Sequence, residues 1–214
     1  ESLRHFERAV AIDPDFARAH LAMAQSLVRM PGDPMASAAR SRRAVLRALA
    51  LHDSLAEAHA HLAAIKLYGD WDWEGTDKSY RRALQLRPAS AELRHGYATF
   101  LSLMGRHDEA VAEVERAMAI DPVSTVIKAD AGWFYFQARR FDEAVGICEL
   151  TLELDPDNLN ALWCLPQAHR HAEREVDAVG AAQQLADRMA DPMDEEPLKF
   201  ERLESFWHWY LGWL

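Results

Sequence analysis

The stretch Ala117-Met-Ala-Ile-Asp-Pro122 has close copies elsewhere in this chain of 214 residues. The copies read Ala9-Val-Ala-Ile-Asp-Pro14, Ala83-Leu-Gln-Leu-Arg-Pro88 and Leu152-Glu-Leu-Asp-Pro156. Pro88, Pro122 and Pro156 are separated by 34 residues and then by 34 again. A fixed period of this kind is typical of a solenoid, in which each unit packs on its neighbours and none folds alone. The copies therefore predict a repeat protein.

Each unit between these prolines has room for two helices. The clearest unit predicts a first helix over residues 125–138 and a second over 141–154, because apolar residues recur there at helical spacing. Gly132 and Ala144 are small enough to let the two helices approach closely. The proline that closes the unit ends the second helix, since it cannot continue one. Asp108 and Asp142 lie near the turns between paired helices and are expected to be N-caps.

Two segments depart from the 34-residue period. Residues 30–36 hold most of an excess between the first two units, and they contain two prolines and a glycine. We expect an enlarged turn there, because this composition interrupts helices. One further residue is added near Gly69-Asp-Trp-Asp-Trp-Glu-Gly75, and this second segment is also predicted to be a loop.

The pattern resembles the tetratricopeptide repeat, and the resemblance covers most of the chain. That family has a small residue midway through the first helix, Ala in the second and Pro at the closing turn, and Gly132, Ala144 and Pro156 fit these places. The resemblance implies an all-α fold, a right-handed α-solenoid of stacked helix-turn-helix repeats. It implies about five repeats over residues 1–192, the first of them partial. An aromatic C-terminal helix would follow over residues 193–214, as a cap or as the start of a further repeat.

A narrower resemblance concerns the phrase Asp70-Trp-Asp-Trp73 and the following Tyr80-Arg-Arg-Ala-Leu84. It is similar to a variant of the family found in bacterial regulators, where the repeats follow a winged-helix DNA-binding domain or a nucleotide-cyclase domain. The chain starts at Glu1 instead of Met, and we expect it to be a piece of a longer protein. The resemblance thus implies the sensory or scaffold part of a larger bacterial regulatory protein.

Composition narrows the range of partners. The formal net charge is −10, and such a surface repels phosphate backbones, so we expect no direct nucleic-acid contact by this segment. No apolar run approaches the roughly 18–20 residues that cross a bilayer, so no membrane contact is expected. Cys148 and Cys164 lack the CxxC spacing and are interpreted as buried thiols of a reducing compartment, which favours the cytoplasm.

The sequence does not show the motifs of the common enzyme classes. HExxH, GxSxG, the Walker-type GxxxxGK and the dinucleotide GxGxxG are absent. The chain has ten histidines, but His59/His61 and His169/His171 are two residues apart and point to different faces of a helix. We therefore expect no enzymatic activity, no cofactor and no metal site.

The surface of interest is the groove that the first helices of this family line on the concave side of the solenoid. Carried onto this sequence, the groove positions of three units are His95, Thr99, Trp133, Phe136, Gln137, Asn160, Trp163, Gln167 and Arg170. Aromatic side chains rimmed by amides and a guanidinium are typical of a binding hot spot. In a register shifted by one residue, the same aromatics would instead fill the core between repeats. Pro166, midway through a first helix, is either a tolerated interruption or a device that shapes a pocket beside Trp163.

The sequence therefore favours a non-catalytic module that binds a protein or peptide partner in its concave groove. Two alternatives stay open: a small-molecule sensor with its ligand in the aromatic pocket, and a homodimerisation module. The dimer would form through the aromatic terminal segment. Its expected interface residues are Phe206, Trp207, Trp209, Tyr210 and Trp213.

Overall fold

The computed structural model describes residues 2–28 and 34–189. Over these residues the chain forms 11 α-helices and one π-helical turn, without a β-strand. The helices are α1 Ser2–Ile12, α2 Ala17–Val28, α3 Pro34–Leu51, α4 Ala56–Ile65, α5 Trp73–Leu86, α6 Ala91–Leu103, α7 His107–Ile120, α8 Thr125–Gln137, α9 Phe141–Leu154, α10 Leu159–His171 and α11 Glu175–Met189. The all-α fold is confirmed, and the two helices predicted over 125–138 and 141–154 are α8 and α9.

The described helices belong to two compact units, with α1 to α7 in the first and α8 to α11 in the second. In the first unit α2 pairs with α3, α4 with α5 and α6 with α7, while α1 packs on α2. In the second unit α8 pairs with α9 and α10 with α11, and α10 also contacts α8 and α9. Short connections make neighbouring helices antiparallel, so each pair is a helical hairpin. Hairpins stack on hairpins within each unit, which confirms the predicted α-solenoid of helix-turn-helix repeats.

The turn inside the hairpin repeats its backbone conformation every 34 residues. Gly105, Arg139 and Glu173 have φ values of 71°, 61° and 60°. After each of them a backbone N–H bonds a carbonyl five residues earlier, at 2.9 Å: Arg106 to Leu101, Arg140 to Tyr135 and Arg174 to His169. This is the hydrogen-bonding pattern of a Schellman-type helix end. Glycine adopts this left-handed backbone conformation freely, whereas for a residue with a side chain the conformation costs roughly 1–2 kcal/mol.

The expected N-caps at Asp108 and Asp142 are wrong. The N-cap positions of α7 and α9 are Arg106 and Arg140, and neither side chain makes a capping hydrogen bond. Both aspartates lie inside the first helical turn, where their negative charge favours the helix dipole. Side chains that do cap helices are Asp72, Ser90 and Asn158.

The loop predicted over residues 69–75 is also wrong. The helix α4 continues into a π-helical turn, Lys66–Asp70, and Trp71 follows with a left-handed φ of 56°. Asp72 then caps α5 by accepting a hydrogen bond from the Gly75 N–H at 2.9 Å. A π-turn holds one more residue than an α-turn, so the chain absorbs its extra residue inside a helix instead of in a loop.

The enlarged turn predicted over residues 30–36 ends earlier than expected, because α3 begins at Pro34. Residues 30–33 lie outside the described part of the chain, but Pro34 is already the first residue of α3. Proline is favoured at that position, because the N–H it lacks has no partner in the first helical turn anyway.

A charged network joins α5, α6 and α7 in the first unit. One carboxylate oxygen of Asp77 accepts hydrogen bonds from Tyr97 Oη and Arg106 Nη1, both at 2.9 Å, and the other accepts from Arg81 Nε at 2.5 Å. Burial by itself raises the pKa of Asp77, but these hydrogen bonds outweigh it and hold that pKa below its usual value. Burial and the bond to Asp77 raise the pKa of Tyr97 to about 12.

Candidate functional site

In the second unit, Gly132 sets how closely α8 approaches α9 and α10. A Cβ at Gly132 would lie 2.5 Å from Cys148 Sγ and 3.5 Å from Cys164 Sγ. Both cysteines are free and fully buried. A hydrogen bond to Cys148, together with burial, raises the pKa of the Cys164 thiol, so that thiol stays protonated. Close packing behind α8 and α10 therefore fixes the surface that these two helices present.

Two matched rows of side chains run along α8 and α10. Each row places a short polar residue, an indole three residues later and an amide seven residues later, which is one face of a helix. The rows are Asp130, Trp133 and Gln137 on α8 and Asn160, Trp163 and Gln167 on α10. Because α9 is antiparallel to both helices, α8 and α10 run parallel. We call this surface the paired rows.

A hydrogen bond holds the paired rows in register. Asn160 Nδ2 donates to Asp130 Oδ1 at 3.0 Å. These two residues are 30 apart in the chain, about one helical turn less than the 34-residue repeat, so the first helices are staggered by one turn. By the same offset of 30 residues, Trp133 corresponds to Trp163 and Gln137 corresponds to Gln167.

The two indoles are half-buried, as are Phe136 and Gln167. Their exposure therefore lies between that of an open binding surface and the complete burial that a shifted register would produce. Part of the reason is that the Trp133 ring packs edge-on against Phe136, with 5.7 Å between ring centroids. The paired rows thus form a partly covered surface on which only some of each indole meets solvent.

Phe136 lies at the margin of the paired rows, in an aromatic cluster near the hairpin turn. Its ring centroid is 5.6 Å from that of Phe141 on α9 and 5.3 Å from that of His171 at the end of α10. Phe141 and His171 stack on each other at 5.2 Å. Phe136 therefore connects the Trp133 indole to the second helix of the hairpin.

The C-terminal end of the α10 row is more open. Arg170 is exposed, and its Nη2 donates to Gln167 Oε1 at 3.0 Å.

Asn158 caps the N-terminal end of α10 by accepting a hydrogen bond from the Ala161 N–H at 3.2 Å. Pro166 lies inside α10 and removes one backbone donor, which leaves the Leu162 carbonyl without its usual helical partner.

A family model described as tetratricopeptide repeat matches residues 72–129 and 104–169, which include α5 to α9 and most of α10. Residues 72–169 therefore match tetratricopeptide repeats. No curated protein sequence is significantly similar to it.

Solved structures show the same fold. YrrB, described as a TPR protein with an unusual peptide-binding site, has a TM-score of 0.68 and 18% identity, over 88% of this chain and 94% of its own. PilW, described as a widely conserved type IV pilus biogenesis factor, has a TM-score of 0.72 and 21% identity, over 82% and 78%. Yeast Tom70 has a TM-score of 0.66 and 16% identity, over 98% and 43%. At these identities the likeness shows the fold alone.

Two of the predicted groove residues of this tetratricopeptide-repeat chain lie in the other compact unit. His95 and Thr99 are half-buried on α6, and Thr99 Oγ1 donates to the His95 carbonyl at 3.0 Å. The structure joins Asn160 on α10 to Asp130 on α8, and Trp163 and Gln167 lie on the same helix as Asn160. His95 and Thr99 belong to the surface of the first unit.

Asp130, which is hydrogen-bonded to Asn160, is absent from the residues that the sequence predicted for the site. Its signal was present, because Asp130-Ala-Gly-Trp133 and Asn160-Ala-Leu-Trp163 have the same outline 30 residues apart. A search at the 34-residue repeat period does not align these phrases, since they match only after the one-turn stagger between neighbouring repeats.

The aromatic interface predicted for residues 206–213, and the boundary predicted at residue 192, lie outside the described residues. Within the described part of the chain, no three His, Cys, Asp or Glu side chains come together as metal ligands would. No helix in that part combines the length and the apolarity that a membrane span requires.

Proposed function

We propose that this chain is a non-catalytic interaction module whose paired rows bind an extended peptide segment of a protein partner. The observation that carries the proposal is the hydrogen bond between Asn160 and Asp130, which aligns two equal rows of polar and indole side chains. Amide side chains can both donate to and accept from a peptide backbone, and indole faces cover its side chains. Half-buried indoles limit the contact to a narrow strip, which suits a single extended strand.

The dimensions of the paired rows agree with such a ligand. From the first to the last residue of a row the helix rises about 10.5 Å, at 1.5 Å per residue. An extended peptide rises about 3.3 Å per residue, so one row matches about three residues of ligand. YrrB, which shares the fold, is described by a peptide-binding site of its own, and this adds an analogy to the geometric argument.

The experiment is a selection of peptides from a phage-displayed random library on the full chain, followed by affinity measurements on variants. Trp163→Ala and Gln167→Ala should each weaken the selected peptides about tenfold or more, as hot-spot truncations do. The matched control is Trp71→Ala, because Trp71 is 58% exposed and lies in the first unit. Melting curves separate lost affinity from lost folding for the half-buried Trp163. Selected peptides that bind Trp163→Ala and Gln167→Ala as well as the unaltered chain would place the peptide site elsewhere.

We infer further that the module serves as the sensory or scaffold part of a bacterial regulator, of the winged-helix or cyclase-linked kind. The support is the Asp70-Trp-Asp-Trp73 phrase, which forms the end of the π-helical turn and the cap of α5. The natural polypeptide, isolated from its host, should then be heavier than the 24.3 kDa of this chain. An intact mass equal to that of the chain would contradict this part of the proposal and leave the peptide site untouched.

A cytoplasmic location and the lack of nucleic-acid contact belong to the same proposal. Two buried free thiols that contact each other suit a reducing compartment. The net charge of −10 opposes binding to a phosphate backbone. A gel-shift assay of the chain with random duplex DNA at low salt should show no complex, and a complex at micromolar protein would overturn this statement.

A further inference from the structure

A cavity of about 230 Å³ lies between α2 and α3 in the first unit, apart from the residues of the paired rows. Apolar side chains and arginines share its walls. The lining residues are His20, Met23 and Leu27 on α2 and Arg40, Arg43, Ala44 and Arg47 on α3. The arginines follow each other at spacings of three and four residues, which places them on one face of α3.

Two of the three arginines are held by carboxylates at the ends of the cavity. Arg40 Nη2 lies 2.7 Å from Glu7 Oε1, and Arg47 Nη2 lies 2.7 Å from Asp15 Oδ1. Both pairs are exposed to solvent, so each contributes little and yields to a competing anion. Only one nitrogen of each guanidinium is engaged in these pairs, although a guanidinium carries five N–H donors.

The middle arginine has no such carboxylate. Arg43 is exposed, and it forms no ion pair or hydrogen bond with the residues that the structure describes. Three guanidiniums against two carboxylates leave this cavity locally positive on a chain whose net charge is −10. A charge of this sign, concentrated over an apolar wall of Met23 and Leu27, is suited to an anion that has an apolar body.

His20 adds a polar side chain to the wall of the cavity. It is 8% exposed, and its Nε2 lies 2.9 Å from the Pro14 carbonyl, which can only accept, so Nε2 carries the hydrogen. Its Nδ1 is buried and has no hydrogen-bond partner among the described residues. His20 therefore adds a polar ring, with one nitrogen lacking a partner among the described residues, to a wall that already carries three guanidiniums.

We propose that the cavity between α2 and α3 binds a small phosphate monoester with an apolar organic part. Its phosphoryl oxygens accept hydrogen bonds from Arg40, Arg43 and Arg47, and its organic part contacts Met23 and Leu27. This site lies in the first unit and is independent of the proposed peptide site on α8 and α10.

Calorimetry with phenyl phosphate as the probe tests the proposal on the full chain. Phenyl phosphate should bind more tightly than inorganic phosphate, phenylacetate or benzyl alcohol, because only this probe combines the phosphoryl group with an apolar body. Arg43→Gln should weaken it about tenfold, since a charge-assisted contact is lost while both ion pairs stay intact. Glu7→Gln should tighten it severalfold, because it frees Arg40 from a competing carboxylate.

The control is Arg18→Gln on α2, which removes another exposed charge, one that does not line the cavity. It should leave the affinity for phenyl phosphate unchanged. A loss with Arg18→Gln equal to that with Arg43→Gln would mean non-specific attraction and overturn the proposal. Equal affinities for phenylacetate and phenyl phosphate would overturn the choice of a phosphate. No heat with any probe, or unchanged binding by Arg43→Gln at an unchanged melting temperature, would overturn the site itself.

Discussion

Gly132→Ala is the substitution that most directly tests the packing behind the paired rows. In an ordinary helix interior, Gly→Ala stabilises by roughly 0.5–1 kcal/mol. At Gly132 the new Cβ would lie 2.5 Å from Cys148 Sγ, inside a core where neither thiol is exposed. Overpacking of this kind costs about 1–3 kcal/mol. We expect a net fall of about 1 kcal/mol in the free energy of unfolding, seen as a melting temperature lower by roughly 2–4 °C.

Gly146→Ala on α9 is the matched control. A Cβ at Gly146 meets no atom within 4 Å, so only the helix-propensity gain remains and stability should rise by roughly 0.5–1 kcal/mol. Circular dichroism melts of both variants give the comparison.

A double-mutant cycle isolates the clash between Gly132 and Cys148. Cys148→Ala removes the obstructing sulfur, so Gly132→Ala should cost less in that background, with a coupling of about 1 kcal/mol or more. If Gly132→Ala stabilises the unaltered chain as much as Gly146→Ala does, the close approach of α8 to α9 and α10 is refuted.

Three further predictions concern other parts of the chain. Arg139→Gly should raise the free energy of unfolding by about 0.5–1 kcal/mol, because it relieves a left-handed φ of 61° at the cost of chain entropy. Gly105→Ala at the equivalent turn should lower that free energy by about 1 kcal/mol. Equal melting temperatures for the two variants would contradict the strain at this turn. Asp77→Asn should cost about 1–3 kcal/mol at neutral pH. Because the folded pKa of Asp77 is lowered, its contribution to stability is complete above the unfolded pKa of about 3.9 and is lost as the pH falls through the lower folded value. Urea titrations of the unaltered chain and of Asp77→Asn should therefore give converging free energies of unfolding in acid. A constant difference between them down to low pH would refute the network. The intact chain should dimerise with rising concentration through residues 193–214, and their deletion should abolish this; sedimentation that shows only monomer at high micromolar concentration would rule the dimer out.

Much of the fold could be predicted from the sequence, because repeat architecture depends on local signals. The 34-residue spacing of Pro88, Pro122 and Pro156 specifies where second helices end, and the apolar period specifies the helices between them. The boundaries of α8 and α9 were predicted to within one residue for this reason. The errors arose where the backbone had two local solutions of similar cost. One extra residue near Gly69 could enter a loop or a π-turn, and the structure has the π-turn.

The candidate site was predictable only in part. The repeat register predicts Trp133, Asn160 and Trp163 as groove positions, and the structure places them on two adjacent parallel helices. The register of one helix against the other could not be predicted, because it depends on the one-turn stagger that makes Asp130 the partner of Asn160.

Side-chain exposure and cavity formation were decided by tertiary structure alone. The half-burial of the indoles depends on contacts such as that of Trp133 with Phe136. The arginine-lined cavity depends on how far α2 stands from α3, a distance that no local signal encodes. By itself the sequence determined which residues are helical outside the segments near residues 30–36 and 69–75, and it determined which helices pair. Interhelical distance and stagger arise from side-chain volumes meeting across different repeats, and only the packed structure settles those.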